Sequence, residues 1–286
     1  MKYYTKFPPR DGLIIRKIQG SKMYLDVKER GVSRGLILEG VREGLCTKIV
    51  KEELKRGMTV VDIGANIGYY ALLEASLVGK DGRVYAFEPF PHSFALLNKS
   101  IEINDYSSIV ETYQVAISDK CGTAKLYLAE ADNIHTLVDL GKARKHIDAN
   151  TITLDEFLKD KGSVDFIRMD IEGYEVEVFD GMMETLKREK ELKILFELHQ
   201  NIYSSKRNLK TRLEKLVDLG YKPKYVVATP IPRPQKFIDL GYEPKEMMRT
   251  DGFHRGLYDN ISTKDLFEVA FCLPRIVRYI LMEKVK

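Results

Sequence analysis

Short apolar runs bounded by turn residues alternate along most of the chain with segments whose apolar positions recur at spacings of three and four. The apolar runs predict strands, and the periodic segments predict helices. Strands are predicted over 13–18, 22–26, 59–63, 83–87, 109–117, 123–129, 165–169, 193–198 and 223–228, and helices over 47–54, 68–78, 93–104, 155–159, 175–188 and 209–219. This alternation indicates right-handed βαβ crossovers and an α/β fold with a mostly parallel, doubly wound sheet.

The pattern changes twice along the chain and predicts three parts. Residues 1–46 hold short strands and turns and predict a small β-rich N-terminal cap, and residues 47–229 predict the core. Residues 230–286 predict a C-terminal extension that begins with a proline- and charge-rich loop. Within it, the apolar segment 267–282 is interrupted by a glutamate, a proline and two arginines. We therefore expect a docked amphipathic helix there, with peripheral membrane contact as the alternative, and no transmembrane segment.

Composition narrows the class of protein. The 286 residues include 46 Lys and Arg against 42 Asp and Glu, a net charge of +4, and 44% hydrophobic residues. This balance excludes a disordered chain and a protein that wraps a polyanion. The cysteines at 46, 121 and 272 are odd in number and far apart, and the N-terminus lacks the apolar region of a signal peptide. We therefore expect a reducing, cytoplasmic compartment.

The turn after the first core strand is the first candidate for ligand binding, because ligands of open α/β sheets bind beyond the carboxyl ends of the strands. Its sequence is DIGANIG, in which two glycines permit a sharp turn and close approach of a ligand to backbone amides. The spacing differs from the G-x-G-x-x-G of dinucleotide-binding proteins, and an acidic residue before the glycines suits a cationic ammonium. The residues expected to contact the ligand here are Asp62, Gly64, Ala65, Asn66 and Gly68.

The second core strand ends at Glu88 and Pro89, and Glu88 lies 20 residues after Gly68. An acidic side chain at this position can accept both hydrogen bonds of a ribose diol. A nucleoside with free hydroxyls, joined to an amino acid that carries an ammonium, would satisfy both Glu88 and Asp62. We therefore expect the cofactor S-adenosylmethionine.

Longer stretches resemble the FkbM-type family of S-adenosylmethionine-dependent methyltransferases. The matching stretches are VVDIGANIGYYAL, VYAFEPFPHSFALLNKSIEIN, VAISDKCGTAKL, TITLDEF, VDFIRMDIEGYEVEVFDGMMETL and ILFELH, in family order between residues 59 and 199. The resemblance implies the Rossmann-like class I methyltransferase fold with a seven-stranded sheet. It also implies the family's typical task, O-methylation of a hydroxyl on a sugar, a glycan or a small metabolite. Arg168 departs from the lysine usual in the family, which keeps the charge but changes the hydrogen-bond geometry.

The third and fourth strand ends supply further candidates. Methyltransferases of this fold usually hold adenine near the third, where Ser118 or Asp119 could contact the exocyclic amine, although turn formation explains Asp119 equally well. Three carboxylates, Asp170, Glu172 and Glu175, follow the fourth strand. Helix capping explains Glu172 and Glu175, but it does not explain Asp170, which we expect to face the ligand cleft.

The fifth strand ends at Glu197 and His199, which share one face of an extended segment. An alcohol is a weak nucleophile until a base removes its proton, so we expect Asp170, His199 and Glu197 to form the catalytic group. His135 is a weaker candidate for the base. A divalent cation held by Asp170 and Glu197 is an alternative that rests on the crowding of carboxylates alone.

Other functions fit parts of the pattern. An RNA or protein methyltransferase would use the basic residues behind the pI of about 8.7, but acidic residues are interspersed among them, so nucleic acid is not expected as a partner. A non-catalytic module would bind the cofactor and transfer nothing, and the glycine spacing disfavours an NAD-dependent dehydrogenase. We expect a small-molecule or glycan acceptor to be recognised by the cap and by segment 231–260.

Overall fold

The computed structural model describes residues 12–129, 134–141, 145–228, 237, 239–250, 252–272 and 277–285. The strands are β1 Leu13–Ile18, β2 Ser21–Asp26, β3 Thr59–Ile63, β4 Arg83–Phe87, β5 Val110–Tyr113, β6 Ala116–Ile117, β7 Gly122–Tyr127, β8 His146–Ile152, β9 Phe166–Met169, β10 Lys193–Glu197, β11 Tyr221–Ala228, β12 Glu246–Thr250, β13 Phe253–Asp259 and β14 Val277–Lys284. The helices are α1 Val32–Glu39, α2 Gly44–Glu53, α3 Tyr69–Val78, α4 Pro91–Glu102, α5 Leu154–Phe157, α6 Glu175–Asp180, α7 Met183–Arg188, α8 Leu209–Asp218 and α9 Thr263–Cys272.

Within the described residues, one nine-stranded sheet has the order β12-β13-β11-β14-β10-β9-β3-β4-β5. The strands from β10 to β5 pair in parallel, and β14 runs antiparallel between β10 and β11. The seven strands from β11 to β5 form the predicted sheet, and the predicted fold class is confirmed. The sheet has nine strands rather than seven because β12 and β13 form an antiparallel hairpin that extends it beyond β11.

Helices cover both faces of the sheet. On one face, α2, α3 and α4 pack with the β1–β2 hairpin, and Ile49 and Leu72 belong to their common core. On the other face, α6, α8 and α9 contribute Phe179, Leu213 and Leu266 to a second core. The central strands of the nine-stranded sheet are buried on both faces. Their sequences are therefore almost continuously apolar, instead of alternating between apolar and polar residues.

The prediction of a β-rich cap is only partly correct. β1 and β2 form the expected hairpin, but residues 32–39 form the helix α1, which ends at Gly40 in the left-handed conformation with φ of 71°. Val32 and Leu36 are buried four residues apart, which is a helical spacing, but Gly35 weakens that signal in the sequence. Residues 1–11 of the predicted cap lie outside the described residues.

The amphipathic helix predicted over 267–282 is wrong for its second half. α9 ends at Cys272, and β14 then enters the centre of the sheet with Val277, Ile280 and Leu281 buried. A short apolar run that is buried on both faces cannot be told from a buried helix by periodicity. The sheet therefore crosses the boundary predicted at residue 229. In the described part of the chain, no helix has the length and apolar character that a bilayer crossing needs.

A second, three-stranded sheet, β6-β8-β7, stands beside the main one. The strand predicted over 109–117 is therefore two strands, β5 and β6, in different sheets. The helix predicted over 175–188 likewise divides into α6 and α7 at Gly181, where a Cβ atom would lie 1.9 Å from the carbonyl oxygen of Ser118. At this close contact the small sheet packs against the main fold, next to the carboxyl ends of the strands in the nine-stranded sheet.

Candidate functional site

A cleft opens where β3, β4 and β9 end. Its empty space, open at the mouth, is about 570 Å³. The residues that line it are Ile63, Gly64, Asn66, Phe87, Glu88, Pro89, Val115, Ala116, Ile117, Leu126, His135, Thr136, Leu137, Asp170, Ile171 and Glu172. We call it the strand-end cleft.

A second cleft of about 390 Å³, the cap cleft, shares Gly64, Asn66 and Asp170 with the first. Its other lining residues are Val32, Arg42, Ala65, Ile67, Tyr69, Tyr70 and Arg168. The two clefts therefore meet at the glycine turn and at Asp170, and residues of the cap form one wall of the second.

The glycine turn is shaped by close backbone contacts. At Gly64, φ is +83° and a Cβ atom would lie 2.1 Å from the carbonyl oxygen of Asp170. Gly68 lines neither cleft; its φ is +95°, and a Cβ there would lie 2.8 Å from Leu97 of α4. Gly64 thus lets the ends of β3 and β9 approach each other, whereas Gly68 lets α3 pack against α4.

Glu88 ties the first two strand ends together. It is 6% exposed, and its two carboxylate oxygens accept hydrogen bonds from the backbone amides of Asn66 at 2.9 Å and Phe90 at 2.8 Å. Each oxygen of a carboxylate can accept more than one hydrogen bond. The ribose contact of Glu88 stays a prediction that its place in the cleft allows.

Asp62 lies behind the clefts rather than in their walls. It is fully buried, and its Oδ1 accepts a hydrogen bond from Arg168 at 3.0 Å. The same guanidinium donates to Asp170 Oδ2 at 3.1 Å and stacks 3.8 Å from the centre of the Tyr70 ring. Burial raises the pKa of Asp62, although Arg168 acts against this shift. Of the two carboxylates that Arg168 holds, only Asp170 faces the clefts.

Ser118 and Asp119, the predicted adenine contacts, line neither cleft. Ser118 is buried, and its hydroxyl lies 3.0 Å from Asp119 Oδ1 and 2.9 Å from the Tyr174 hydroxyl. The preceding residues of β6, Ala116 and Ile117, line the strand-end cleft and make that wall apolar.

His199 lies at the centre of a group of carboxylates. Its Nδ1 lies 2.8 Å from Glu175 Oε1, and its Nε2 lies 3.2 Å from Glu172 Oε2 and 3.3 Å from Glu197 Oε1. Burial alone would lower the pKa of His199, but Glu175 and Glu197 raise it well above its usual range. The surrounding carboxylates therefore favour the protonated imidazolium, which disfavours the predicted role as a base.

Glu197 lines neither cleft. It is 1% exposed, its Oε2 accepts a hydrogen bond from Tyr279 at 2.9 Å, and its Oε1 contacts Arg278. Burial would raise its pKa, but His199 and Arg278 lower it. Among the three residues predicted to be catalytic, Asp170 alone lines the clefts.

Glu172, which the sequence pattern assigns to helix capping, lines the strand-end cleft. Its φ is 52° and that of Gly173 is 97°, a left-handed pair that turns the chain between β9 and α6. The carbonyl oxygen of Glu172 accepts a hydrogen bond from Thr136 at 2.8 Å. Burial raises the pKa of Glu172 to about 7, with His199 acting against the shift. The crowding of acids after β9 is the sequence signal for this residue.

His135 lines the strand-end cleft, but the lone pair of its Nδ1 already accepts a hydrogen bond. Nδ1 accepts a hydrogen bond from the Ala129 amide at 3.0 Å, and burial lowers the pKa of the ring to about 4. The ring is therefore neutral, with its proton assigned to Nε2 by this contact. That tautomer cannot accept a second proton without breaking the bond to Ala129, which disfavours a role as the base.

Among the residues that the structure describes, two overlapping sets of side chains are close enough to hold a cation, with ligand atoms within 4.8 Å of one another. They are Asp170, Glu172 and His199, and Glu43, Asp170 and Glu197. Arg168 already pairs with Asp170, and Arg278 already contacts Glu197. Two of these carboxylates therefore already have a cationic partner.

Comparison with known proteins identifies the family. The sequence model described as "Methyltransferase FkbM domain" matches residues 62–223, which is more than half of the chain. The chain belongs to the FkbM methyltransferase family. The resemblance found in the sequence is thereby confirmed. The FkbM domain holds the glycine turn, Glu88, Asp170 and His199, whereas Arg42 of the cap cleft lies outside it.

Individual relatives match parts of this FkbM protein. Methyltransferase sdnD of Sordaria araneosa is 27% identical over an alignment of 157 positions, and the match covers 44% of this chain and 60% of that protein. Protein-L-isoaspartate O-methyltransferase 1 of Arabidopsis thaliana is 32% identical over 73 residues, which are 26% of this chain and 32% of that protein. Each match thus spans less than two thirds of the relative.

Two solved structures resemble this chain at low sequence identity. M. jannaschii TYW2 in complex with AdoMet is 18% identical with a TM-score of 0.47, and the match covers 99% of this chain and 92% of that one. A SAM-dependent O-methyltransferase of Thermotoga maritima is 14% identical with a TM-score of 0.44, and the match covers 86% and 66%.

Proposed function

We propose that this FkbM protein is an S-adenosylmethionine-dependent methyltransferase that methylates a hydroxyl oxygen of a sugar, a glycan or a small metabolite. The observation that carries the proposal is the meeting of two clefts at Asp170 and the glycine turn. The cofactor has two parts of different chemistry, an adenosine and an amino acid, joined at the sulfonium that carries the methyl group. Two clefts of different lining that meet at one point suit such a molecule.

The strand-end cleft suits the adenosine. Glu88, an acidic side chain of the type that binds ribose hydroxyls, lines one wall, and Pro89 lies beside it. Ala116, Ile117 and Leu126 provide an apolar wall against which a purine can pack. Burial of the flat faces of the base in such a wall is favourable, because apolar surface leaves water on both sides.

The cap cleft suits the amino-acid end of the cofactor. Arg42 lines it with a 24% exposed side chain, and a guanidinium has N–H donors beyond the one that faces Glu43 at 2.7 Å. We assign the methionine carboxylate to Arg42 and the ammonium to Asp170. The sulfonium then lies at the junction of the clefts, next to Asp170, where the acceptor must arrive.

The reaction is an in-line displacement. The acceptor oxygen forms a bond to the methyl carbon, the bond from carbon to sulfur breaks, and its electron pair returns to sulfur to leave S-adenosylhomocysteine. A base takes the hydroxyl proton. Holding the oxygen about 3 Å from the methyl carbon supplies much of the acceleration, and a positioned base contributes a further factor of roughly 10² to 10⁴.

Calorimetry with S-adenosylhomocysteine tests cofactor binding, with NAD as the control ligand. Arg42→Gln removes a charge-assisted contact of about 1.5–3 kcal/mol. The Kd of this variant for S-adenosylhomocysteine should therefore rise roughly 10- to 100-fold. Arg34→Gln, at an exposed position of α1, is the matched control and should leave the Kd unchanged. No binding of S-adenosylhomocysteine by the wild-type protein would refute the proposed cofactor.

Transfer is tested with labelled S-adenosylmethionine and the small-molecule and glycan fractions of a cell extract. Mass spectrometry should find a labelled methyl ether in one of these fractions. Binding of the cofactor without any labelled product would favour a non-catalytic module. Label in protein would favour a protein methyltransferase, and label in RNA, at a rate that falls steeply as salt rises, would favour an RNA methyltransferase.

A further inference from the structure

We propose that Glu172 is the catalytic base that takes the proton of the acceptor hydroxyl, and that His199 and Glu175 are the residues that position it. This assignment rests on the proposed function. It gives Glu172 a role beyond helix capping, and it gives the protonated His199 a role other than that of the base.

Glu172 is placed where an acceptor can reach it. It lines the strand-end cleft two residues after Asp170, where the two clefts meet. Its side chain is 20% exposed, compared with 12% for Asp170, 8% for His199 and 1% for Glu197. Among these four groups, Glu172 combines the greatest access to the cleft with a carboxylate oxygen that no arginine contact in the described residues occupies.

The backbone conformation of Glu172 is unfavourable in itself. A side chain other than glycine at a φ of 52° is strained, and such a residue persists only where its surroundings hold it in place. Here Thr136 donates to its carbonyl oxygen, and Gly173 packs so closely that a Cβ would lie 2.6 Å from Ile202. The turn directs the carboxylate towards both the cleft and His199.

A chain of contacts fixes His199 behind Glu172. The Tyr203 hydroxyl donates to Glu175 Oε2 at 2.8 Å, and Glu175 Oε1 lies 2.8 Å from His199 Nδ1. Glu175 is fully buried, and the Gly173 amide donates to it at 3.1 Å. The ring is therefore held by a buried carboxylate on one side and presents Nε2 to Glu172 on the other.

The position of Nε2 lets Glu172 accept a proton without leaving a charge uncompensated. Nε2 lies 3.2 Å from Glu172 and 3.3 Å from Glu197, so the imidazolium keeps Glu197 as its partner when Glu172 is protonated. Protonation of Asp170, in contrast, would break its ion pair with Arg168. The proton balance is complete: the hydroxyl proton passes to Glu172 as the carbon–sulfur bond breaks, and the partly exposed carboxyl returns it to solvent.

The charges that face Glu172 also place its titration in a useful range. Burial raises the pKa of Glu172 to about 7, Asp170 and Glu197 act in the same direction, and His199 acts against them. His135 lines the same cleft as a neutral ring, since its pKa is lowered to about 4. A base that titrates near the working pH is effective in proton transfer.

The test uses the initial rate of label transfer from S-adenosylmethionine into the extract fraction that the wild-type protein labels. Glu172→Gln should lower this rate by at least about 10²-fold and leave the Kd for S-adenosylhomocysteine unchanged. Glu172→Asp should restore part of the rate. Glu102→Gln, at an exposed position of α4, is the control for loss of a glutamate charge and should transfer at the wild-type rate.

The pH profile separates catalysis from structure. The wild-type rate at limiting acceptor should rise with pH through an apparent pKa near 7, and His199→Gln should move that limb to higher pH because a positive neighbour is lost. A His199 with only a structural role would lower the rate at every pH without moving the limb.

Three outcomes would overturn the assignment. A wild-type rate in Glu172→Gln would do so while leaving the proposed function intact. Loss of wild-type transfer after exhaustive EDTA treatment, restored by Mn²⁺, would make the same carboxylate a metal ligand. If the wild-type protein labelled no fraction, the proposed function would fail, and the assignment of the base would fail with it.

Discussion

Gly64 is a position at which the addition of one methyl group should destabilise the protein, because both the backbone conformation and the neighbouring strand end oppose it. Gly64→Ala adds one methyl group at a residue with φ of +83°, and the added Cβ would lie 2.1 Å from the carbonyl oxygen of Asp170. The left-handed conformation costs an L-residue about 1–2 kcal/mol. Because the obstacle is backbone, rotation of a side chain cannot relieve the overlap, and overpacking of this kind costs about 1–3 kcal/mol more.

Gly79→Ala is the matched control for Gly64→Ala. Gly79 has a φ of +67°, but a Cβ there would have no atom within 4 Å. It should therefore cost only the conformational term of about 1–2 kcal/mol. Both substitutions restrict the unfolded chain equally, so the difference between the two variants isolates the overlap with Asp170.

Urea denaturation of the two variants measures this difference. Gly64→Ala should lower the free energy of unfolding by about 2–5 kcal/mol, which is about 1–3 kcal/mol more than Gly79→Ala. It should also weaken binding of S-adenosylhomocysteine, because Gly64 lines both clefts. If Gly64→Ala proved no less stable than Gly79→Ala, the close approach of β3 and β9 at this turn would be incorrect.

Two further predictions concern buried charges. Arg168→Met should destabilise the protein by about 3–5 kcal/mol, because the buried carboxylates of Asp62 and Asp170 both lose the arginine with which they pair. Urea titrations should show this loss shrinking as pH falls and the carboxyls protonate; a pH-independent loss would contradict the ion-pair account. His135→Gln should make the free energy of unfolding less dependent on pH between 6.5 and about 4, because burial lowers the pKa of His135. The unfolded wild type binds a proton there that the folded form does not, so wild-type stability falls as pH falls; an identical slope in the variant would contradict this.

The elements that could be predicted from the sequence are those that local pattern determines. The TVVDI strand, the glycine turn after it and Glu88 at the next strand end all follow from consecutive residues, and they suffice to define the class of fold.

The contacts within the site could not be predicted in this way, because they depend on pairing between segments that lie far apart in the sequence. Asp62 faces Arg168 because β3 and β9 pair with these two residues in register, although they are 106 positions apart. A strand that ends in an acidic residue gives no local sign of whether the carboxylate will face a ligand or a buried arginine. The alternation correctly placed Glu197 and His199 on one face, and they lie 3.3 Å apart. It could not show that neither residue lines the clefts.

Segments on both sides of the FkbM domain contribute partners to its buried charged residues Arg168 and Glu197. From the N-terminal side, Glu43 accepts a hydrogen bond from Tyr70 at 2.9 Å and lies 3.9 Å from Arg168. From the C-terminal side, Tyr279 donates to Glu197, and Arg278 contacts the same carboxylate.

Glu197 is buried and faces His199, so loss of these C-terminal partners would leave its charge with the imidazolium alone. The imidazolium would then be held more firmly by Glu197 and would be less available to Glu172. Arg278, which lies outside the FkbM domain, therefore lowers the pKa of Glu197, which lies inside it. Residues 62–223 by themselves do not make up the whole site.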